Sequence, residues 1–489
     1  MTLTREMLTV PEMYEADRLA IEGGVPGLEL MEAAGQGITA HMEQAWDPCP
    51  VLVLCGPGNN GGDGYVVARI LKQEGWPVTV AAWGDPSELT GDAADMFGQW
   101  DGDTKAFDAV SLDGISLVVD ALFGAGFRGD LPEDVKGLFH EIAARGLSVV
   151  AVDVPSGMNG TTGWVAEGTQ RAEMTVSFFR PKVGHMLLPG REYLGKLEIV
   201  DIGIPPSVLD QIKPQTWMNG RELWTDALPF PEMSGHKYSR GHAAVVGGGV
   251  TATGAARIAA RACLRSGAGA VTVAAPPAAV MTYSITLEAV MLASLAGAED
   301  FANWLDVKRI NAVLIGPGNG VTDRTRDFVV AALASDAAVT LDADALTVFR
   351  DTPDHLFSLI KNRQAPVILT PHGSEFERLF DVAGSAVERA RAAALQSGAV
   401  VLLKGASTVV AAPDGRARVN VNAPPWLATA GSGDTLAGII TGLVAGGMPA
   451  FDAASAGAWI HGEAGALLGP GMIAEDLEAQ IPAVLAELQ

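Results

Sequence analysis

Residues 428–440 read ATAGSGDTLAGII. Gly431, Ser432 and Gly433 are a run of small residues, Asp434 closes it, and the apolar helix formers Leu436, Ala437, Ile439 and Ile440 follow. That order predicts a glycine-rich turn feeding a helix N-terminus, where free N–H groups and the helix dipole favour an anion. A carboxylate adds nothing to anion binding there. It does suit a base that takes a proton from a nucleophile while negative charge develops beside it. The other reading is an Asp N-cap on a buried helix.

The flanking sequence supplies company for Asp434. Short apolar runs at 243–246, 270–274, 339–341, 367–370 and 400–403 read as buried strands. Glycines, acids or bases follow them. Three glycines follow the first, Asp342 and Asp344 end the third, His372 lies just past the fourth, and Lys404 follows the fifth before a turn into a hairpin. Residues 313–320 run from a strand into a glycine turn containing Gly318. TGAARIAARACLRSGAG, which includes Ala255, reads as a small-residue helix between two strands. Polar groups at the C-terminal ends of parallel strands converge on one crevice.

The first half repeats the pattern with different residues. Two amphipathic helices are expected over 8–42, broken at residues 23–27 and serving packing or a dimer contact. A strand at 51–54 then leads into a long glycine loop, 56–64, before a helix from Tyr65. Gly56, Gly58 and Gly61 satisfy GxGxxG and Asp85 follows the next strand, so a dinucleotide fingerprint stays open. Pro57 and the polar block Asn59, Asn60, Gly61, Gly62, Asp63 fit ligand or cation chemistry better than a pyrophosphate turn. Asp120 and Asp153 each end a strand, and Ser156 follows Asp153, so Asn60, Asp120, Asp153 and Ser156 are expected as neighbours. Arg128 and Lys182 are candidates for a ligand's phosphate or for the surface. A last strand is expected over 194–204. Prolines 205, 206, 214, 229 and 231 then mark a semi-rigid join, with the boundary near 213–221.

At 489 residues, more than one domain is expected. A net charge of −24 argues against nucleic acid or an anionic membrane as partner. The three cysteines show no CxxC and no disulfide framework. Residues 1–20 lack the apolar segment of a secretory signal, and no run of about 18 apolar residues occurs. A cytoplasmic protein is expected.

LMEAAG, CGPGNNGGDG, VDALFGAGFRG and VDVPSGMNGTTG resemble the epimerase domain of the NAD(P)H-hydrate repair enzymes over residues 1–215. HKYSRGHAAVVGG, IGPGNG, LDADAL, TPHGSEF, LLKGAST and AGSGDTLAG resemble the ADP-dependent dehydratase domain of the same family over 222–489. The resemblance implies an α/β protein of two domains, a Rossmann-like three-layer sandwich followed by a ribokinase-like domain. It implies that Asn59, Asn60, Gly61, Gly62 and Asp63, with Gly124, Ala125, Gly126, Phe127, Arg128, Gly129 and Asp130, line the first substrate site. Asp153 would touch the nicotinamide end there, and Asn60, Asp120 and Ser156 would hold K⁺. In the second site Ala255, Gly318, His372 and Asp434 would contact the hydrate. Lys404, Gly405, Ala406, Ser407, Thr408 and Gly433 would contact the adenine nucleotide, which brings Mg²⁺. The implied partners are hydrated NADH and NADPH with ADP, in a homo-oligomer.

The sequence departs from the family at three places. Gly124-Ala125-Gly126 stands for Gly-Thr-Gly, and Met158-Asn159-Gly160 for Leu-Asp-Ala. TPHGSEF stands for a Pro-His-Pro-Gly-Glu pattern, which shifts the acid to Glu375. The chemistry asks for two proton-handling groups. Inverting a hemiaminal carbon needs a carboxylate such as Asp153 to protonate departing hydroxide and deprotonate returning water. Dehydration asks Asp434 to activate the same hydroxyl toward a phosphoryl group. A ribokinase-like vitamin kinase fused to a nucleotide-binding domain is the alternative.

Overall fold

Runs such as Val51–Cys55 (VLVLC) and Leu117–Ala121 (LVVDA) have no polar side to offer water, and every residue of both is buried. Strands of that kind pair in parallel with helices on both faces. In the computed structural model, which describes residues 5–231 and 233–489, two such sheets form. The chain divides into compact units Met1–Thr216 and Trp217–Gln489.

The first sheet contains β1 (Val51–Cys55), β2 (Val78–Ala82), β3 (Thr104–Ala106), β4 (Leu117–Ala121), β5 (Ser148–Val152), β6 (Met174–Phe178) and β7 (Lys196–Val200), all parallel, in the order β3-β2-β1-β4-β5-β6-β7. The order reverses direction between β1 and β4. A crevice opens at such a point beyond the strands' C-terminal ends. The last strand is shorter than the expected 194–204, because Gly195 turns the chain with φ +59° and Gly203 does so with φ +93°.

Helices α1 (Val10–Glu22), α2 (Gly27–Ala45), α3 (Asn59–Gln73), α4 (Gly91–Gly98) and α5 (Glu133–Arg145) complete the unit. A capping box starts α1: the Thr9 hydroxyl accepts from Glu12 N–H, and Glu12 accepts from Thr9 N–H at 2.7 Å. The glycine block corrects the expectation of a long loop. Only Gly56-Pro57-Gly58 is loop, and α3 begins at Asn59. The glycines serve close packing instead. A Cβ on Gly61 would lie 1.9 Å from Gly56 O, and one on Gly64 would lie 2.8 Å from the Ala121 Cβ.

The second sheet contains β8 (Thr216–Met218), β9 (His242–Val246), β10 (Ala270–Ala275), β11 (Met291–Ser294), β12 (Ala312–Ile315), β13 (Ala338–Leu341), β14 (Val367–Leu369), β15 (Val400–Leu403), β16 (Thr408–Ala411) and β17 (Ala417–Asn420). Its order is β11-β10-β9-β12-β13-β14-β15-β16-β17-β8. It is parallel from β11 to β15 and antiparallel through the β15-β16-β17 meander. The switch of direction falls between β9 and β12.

The helix Ser432–Ala445 is buried along nearly its whole length and crosses the helix Gly254–Ser266 at close range. A Cβ on Gly438 would sit 2.3 Å from Ala259 O, and one on Gly442 2.3 Å from Cys263 O. This small-residue face presses the N-terminus of Ser432–Ala445 against the sheet's C-terminal edge.

Candidate functional site

In the first unit a cavity of about 630 Å³ lies at the β1–β4 switch point. Its floor is Asn59, Asn60 and Asp63 at the start of α3, with Leu122–Phe127 after β4. Asp153 and Lys182 face it from the ends of the following strands, and α1 supplies a wall through Val10, Met13, Tyr14 and Asp17. Gly61 and Gly62 stand apart from that lining. A Cβ on Gly62 would meet the Met31 sulfur at 2.6 Å, so both glycines serve packing. Arg128, Gly129 and Asp130 are exposed beyond the lining.

Asp153 has an unusual backbone. Its φ is +65°, which costs a residue with a Cβ of order 1 kcal/mol. Neighbours hold the peptide there: Asp153 N–H donates to Val176 O at 2.8 Å, and Asp153 O faces His185 Nε2 at 3.0 Å. Lys182 N–H donates to His185 Nδ1 at 3.1 Å, so Nε2 carries the proton and donates to Asp153 O. Burial takes the His185 ring down to about 4, and the nearby Lys182 charge acts the same way, keeping it neutral.

The Asp153 carboxylate takes Lys182 Nζ at 2.5 Å and the Ser177 hydroxyl at 2.8 Å. Ala125 N–H donates to its other oxygen at 3.3 Å. Burial alone would raise this carboxyl, yet Lys182 and the hydrogen bonds bring it below the ordinary value. Lys182 is only 2% exposed, which corrects its reading as a surface residue: it lines the cavity paired with Asp153.

Two further acids face the same space and are held toward protonation. Burial pushes Asp17 up to about 6 and Asp63 well above the usual carboxylate range. The Asp153 charge adds to both shifts and Lys182 opposes them.

Asp120 and Ser156 are in direct contact. Ser156 N–H donates to Asp120 Oδ2 at 2.8 Å and its hydroxyl to Oδ1 at 2.6 Å, while Phe123 N–H donates to Ser156 Oγ at 2.8 Å. Burial lifts the Asp120 carboxyl above its ordinary value against these bonds. No basic side chain pairs with it among the described residues. Asn60 Nδ2 is buried without a partner among those residues, and the Asn60 amide lies against Gly124, whose Cβ would be 3.5 Å from Oδ1. Amide, carboxylate and hydroxyl oxygens are the donor types a hard cation takes, and Asp120 accepts three hydrogen bonds without a positive partner among the described residues.

In the second unit the predicted polar residues gather at the ends of β9 and β12–β15. Gly431 caps the helix Ser432–Ala445 with φ +86°, and no side chain caps that N-terminus. Asp434 therefore sits inside the first turn, which rules out the N-cap reading. A Cβ on Gly431 would lie 4.0 Å from Asp434 Oδ2. Burial, then the Asp342 charge, push the Asp434 carboxyl up to about 6, against the pull of Lys404.

Lys404 Nζ contacts Asp342 Oδ1 at 2.6 Å and lies 3.4 Å from where a Gly433 Cβ would be. Burial works against its charge, but Asp342, with Glu375 and Asp434 further off, holds the ammonium above the ordinary lysine value. Gly405 and Ala406 lie exposed on the turn from β15 into β16, where the Thr408 hydroxyl donates to Gly405 O at 3.1 Å. His372 caps the helix Gly373–Leu379: its Nδ1 accepts from Ser374 N–H at 3.2 Å, and Glu375 accepts from His372 N–H at 2.9 Å. Glu375 thus has a structural task as the second half of a capping box.

Ala255 and Gly318 meet at the β9–β12 switch point, where a Gly318 Cβ would be 3.4 Å from the Ala255 Cβ. Asn319 fixes this crevice. Its amide donates to Val246 O at 2.8 Å and accepts from Gly316 N–H at 2.7 Å.

Residues 243–482 match the family model described as NAD(P)H-hydrate dehydratase, and residues 27–184 match that described as YjeF-related protein N-terminus. A bifunctional NAD(P)H-hydrate repair enzyme Nnr from Salinibacter ruber is 37% identical, covering 98% of this chain and 96% of the relative. The enzyme of that name from Moorella thermoacetica is 36% identical over 99% of this chain and 97% of its own length. The chain belongs to the bifunctional NAD(P)H-hydrate repair enzymes. A solved ADP/ATP-dependent NAD(P)H-hydrate dehydratase from Bacillus subtilis, co-crystallized with ATP and Mg²⁺, is 27% identical, covers 56% of this chain and 98% of that one, and has a TM-score of 0.47.

Within this repair enzyme, sequence reasoning passed over Tyr14 and Asp17, which line the first unit's cavity, and Ser177 and His185, which hold Asp153. Tyr14 and Asp17 were read as part of a packing helix. Their spacing of three, with Val10 and Ile21 on the same side, was the available signal. In the dehydratase domain it also passed over His461, whose Nε2 lies 3.0 Å from the Ser432 hydroxyl beneath the glycine turn. Burial lowers that ring to about 4. Among the described residues no three His, Cys, Asp or Glu side chains converge as a metal site, and no helix is long and apolar enough to cross a membrane.

Proposed function

We propose that the epimerase domain inverts C6 of hydrated NADH and NADPH with Asp153 as its proton carrier, and that the dehydratase domain removes water from the S epimer with Asp434 as base. In the first reaction the ring nitrogen expels the C6 hydroxyl, and water returns on either face of the iminium. Departing hydroxide needs one proton and returning water gives one up, so a single shuttling carboxylate balances the cycle. Lys182 holds Asp153 ionised at rest, ready to accept from water. Asn60, Asp120 and Ser156 would hold K⁺, which supplies a fixed positive charge beside the cavity when bound. The buried Asp120, which no basic side chain pairs with among the described residues, supports that assignment.

In the second reaction Asp434 takes the C6 hydroxyl proton as the oxygen attacks the terminal phosphoryl of ADP, releasing AMP. Phosphate then leaves C6 while C5 loses a proton, giving NADH or NADPH. The uncapped helix N-terminus at Gly431–Gly433 and the Lys404 ammonium face the charge that spreads over the phosphoryl group, and Mg²⁺ arrives with the nucleotide. Asp434, lifted to about 6 in the first turn of that uncapped helix, is the observation that carries the reading. A base is most effective with an affinity for protons near the working pH.

Mixed R and S hydrates supplied with ADP should return all of the reduced-nicotinamide absorbance, and ATP in place of ADP tests the nucleotide. Absorbance that fails to return with either nucleotide would overturn the proposal. The proposed setting is cytoplasmic, where reduced nicotinamides are used. Sedimentation of the full chain tests the proposed homo-oligomer.

A further inference from the structure

Two arginines at the dehydratase switch point have no task in the chemistry above. Arg257 lies in the helix Gly254–Ser266, two residues beyond Ala255. Arg324 lies in the first turn of the helix Asp323–Leu333, just after the Gly316–Gly320 turn. Arg257 Nε and Arg324 Nε and Nη2 are shielded from water and have no hydrogen-bond partner among the described residues. That is costly for a guanidinium, whose five N–H groups are ordinarily all satisfied.

The two side chains approach one spot from different elements. Tyr283, in the helix Val280–Thr286, donates its hydroxyl to Gly248 O at 3.3 Å. A Cβ on Gly247 would be 2.9 Å from that hydroxyl, so Tyr283 marks the C-terminal end of β9. Burial takes the phenol up to about 12, and the Arg257 and Arg324 charges, both near enough to act on it, pull the other way. Arg324 stacks on Phe328, its guanidinium carbon 4.1 Å from the ring centre, which fixes one face of the fork. Glycines floor the same place: a Gly248 Cβ would strike Gly318 O at 2.1 Å. Bare backbone, a strand-order reversal and two guanidinium groups that keep buried N–H donors unpaired make an anion cradle.

We propose that Arg257 and Arg324 form a phosphoryl subsite at the β9–β12 crevice, which receives a phosphate of the hydrated dinucleotide beside Ala255 and Gly318. The subsite rests on the dehydratase reading above. Strands β13 and β14 separate the β9–β12 crevice from Lys404 after β15, so the subsite is assigned to the hydrate and not to the ADP. Two groups of the substrate share the chemistry: the pyrophosphate, present in both hydrates, and the 2′-phosphate, present only in the NADPH form.

The test uses the full chain with Arg257→Gln and Arg324→Gln, measuring dehydration of the S hydrates of NADH and NADPH at saturating ADP. Each variant should raise the hydrate KM about tenfold or more, as expected for loss of a charge-assisted pair, with kcat and the ADP KM little changed. An equal rise for both hydrates places the pyrophosphate in the subsite, and a rise for the NADPH form alone places the 2′-phosphate there. Unchanged hydrate KM values, or a rise in the ADP KM instead, would overturn the proposal. Inorganic pyrophosphate, tested on the unaltered enzyme at fixed free Mg²⁺, should compete with the hydrate, and inhibition that is not competitive with it counts against the subsite whether or not the variants fold. An unaltered enzyme that dehydrates neither hydrate would instead refute the functional reading beneath it.

Discussion

Asp153 joins a left-handed backbone to a buried charge, and the two can be separated by substitution. Asp153→Ala and Asp153→Gly should both lose epimerisation, measured as exchange between R and S hydrates. The glycine variant should be the more stable of the two by about 1 kcal/mol in denaturant unfolding, because only alanine keeps the strain at φ +65°. Lys182→Met removes the partner and leaves a carboxylate buried, at a cost of about 3 kcal/mol with epimerisation lost. At the second site, Asp434→Asn should slow dehydration by about 10²-fold or more while nucleotide binding is kept. As a base Asp434 must be ionised. With its affinity lifted to about 6, dehydration should fall about tenfold per unit below that pH. Asp342→Asn removes a negative charge that lifts Asp434 and leaves Lys404 to pull it down, so the acid limb of the profile should move to lower pH. The strand-end acids were legible from sequence because an apolar run followed by Asp has few other meanings. Lys182 was not. A lysine after Arg-Pro reads as surface, and its burial depends on Asp153, Ser177 and Phe178, which only the fold brings together.

At the scale of elements, the strands could be read because their apolar runs are short and bounded by glycine or proline. The start of α3 could not. NNGGDG has low helix propensity, and tertiary packing overrides it because only glycine lets the helix approach β1 and the chain after β4. Gly61→Ala, with a Cβ 1.9 Å from Gly56 O, should destabilise the first unit by about 3 kcal/mol or more in thermal or denaturant unfolding. Gly58→Ala, which meets nothing within 4 Å, should leave stability nearly unchanged. The helix α1 was legible as amphipathic, but its sequence could not say that part of its polar face closes a cavity. An acid such as Asp17 on an exposed-looking face looks the same whether it meets water or a ligand.

Over the whole molecule, two domains carry two different chemistries on one chain, and the proposal places each at its own switch point. The hydrate pool should therefore drain in two separable ways. With Asp153→Ala, the S portion of a mixed pool is repaired at the unaltered rate, and the R portion then follows only as fast as uncatalysed exchange allows. With Asp434→Asn, no reduced nicotinamide returns although R and S continue to exchange, which chromatography of the epimers would show. Equal loss of both activities in either variant would contradict the division of labour.

The Asn319 amide works as a strut of fixed length. It ties the end of β9 to the turn after β12, just beyond the last backbone pair of the two strands, Leu314 with Val245. The ladder between β9 and β12 already fixes how far apart the strands lie, and Asn319 carries that spacing on into the turn where the ladder stops. A side chain here thus works like the last rung of a ladder, holding Gly316–Gly320 in line with β9 after the main chain has stopped pairing.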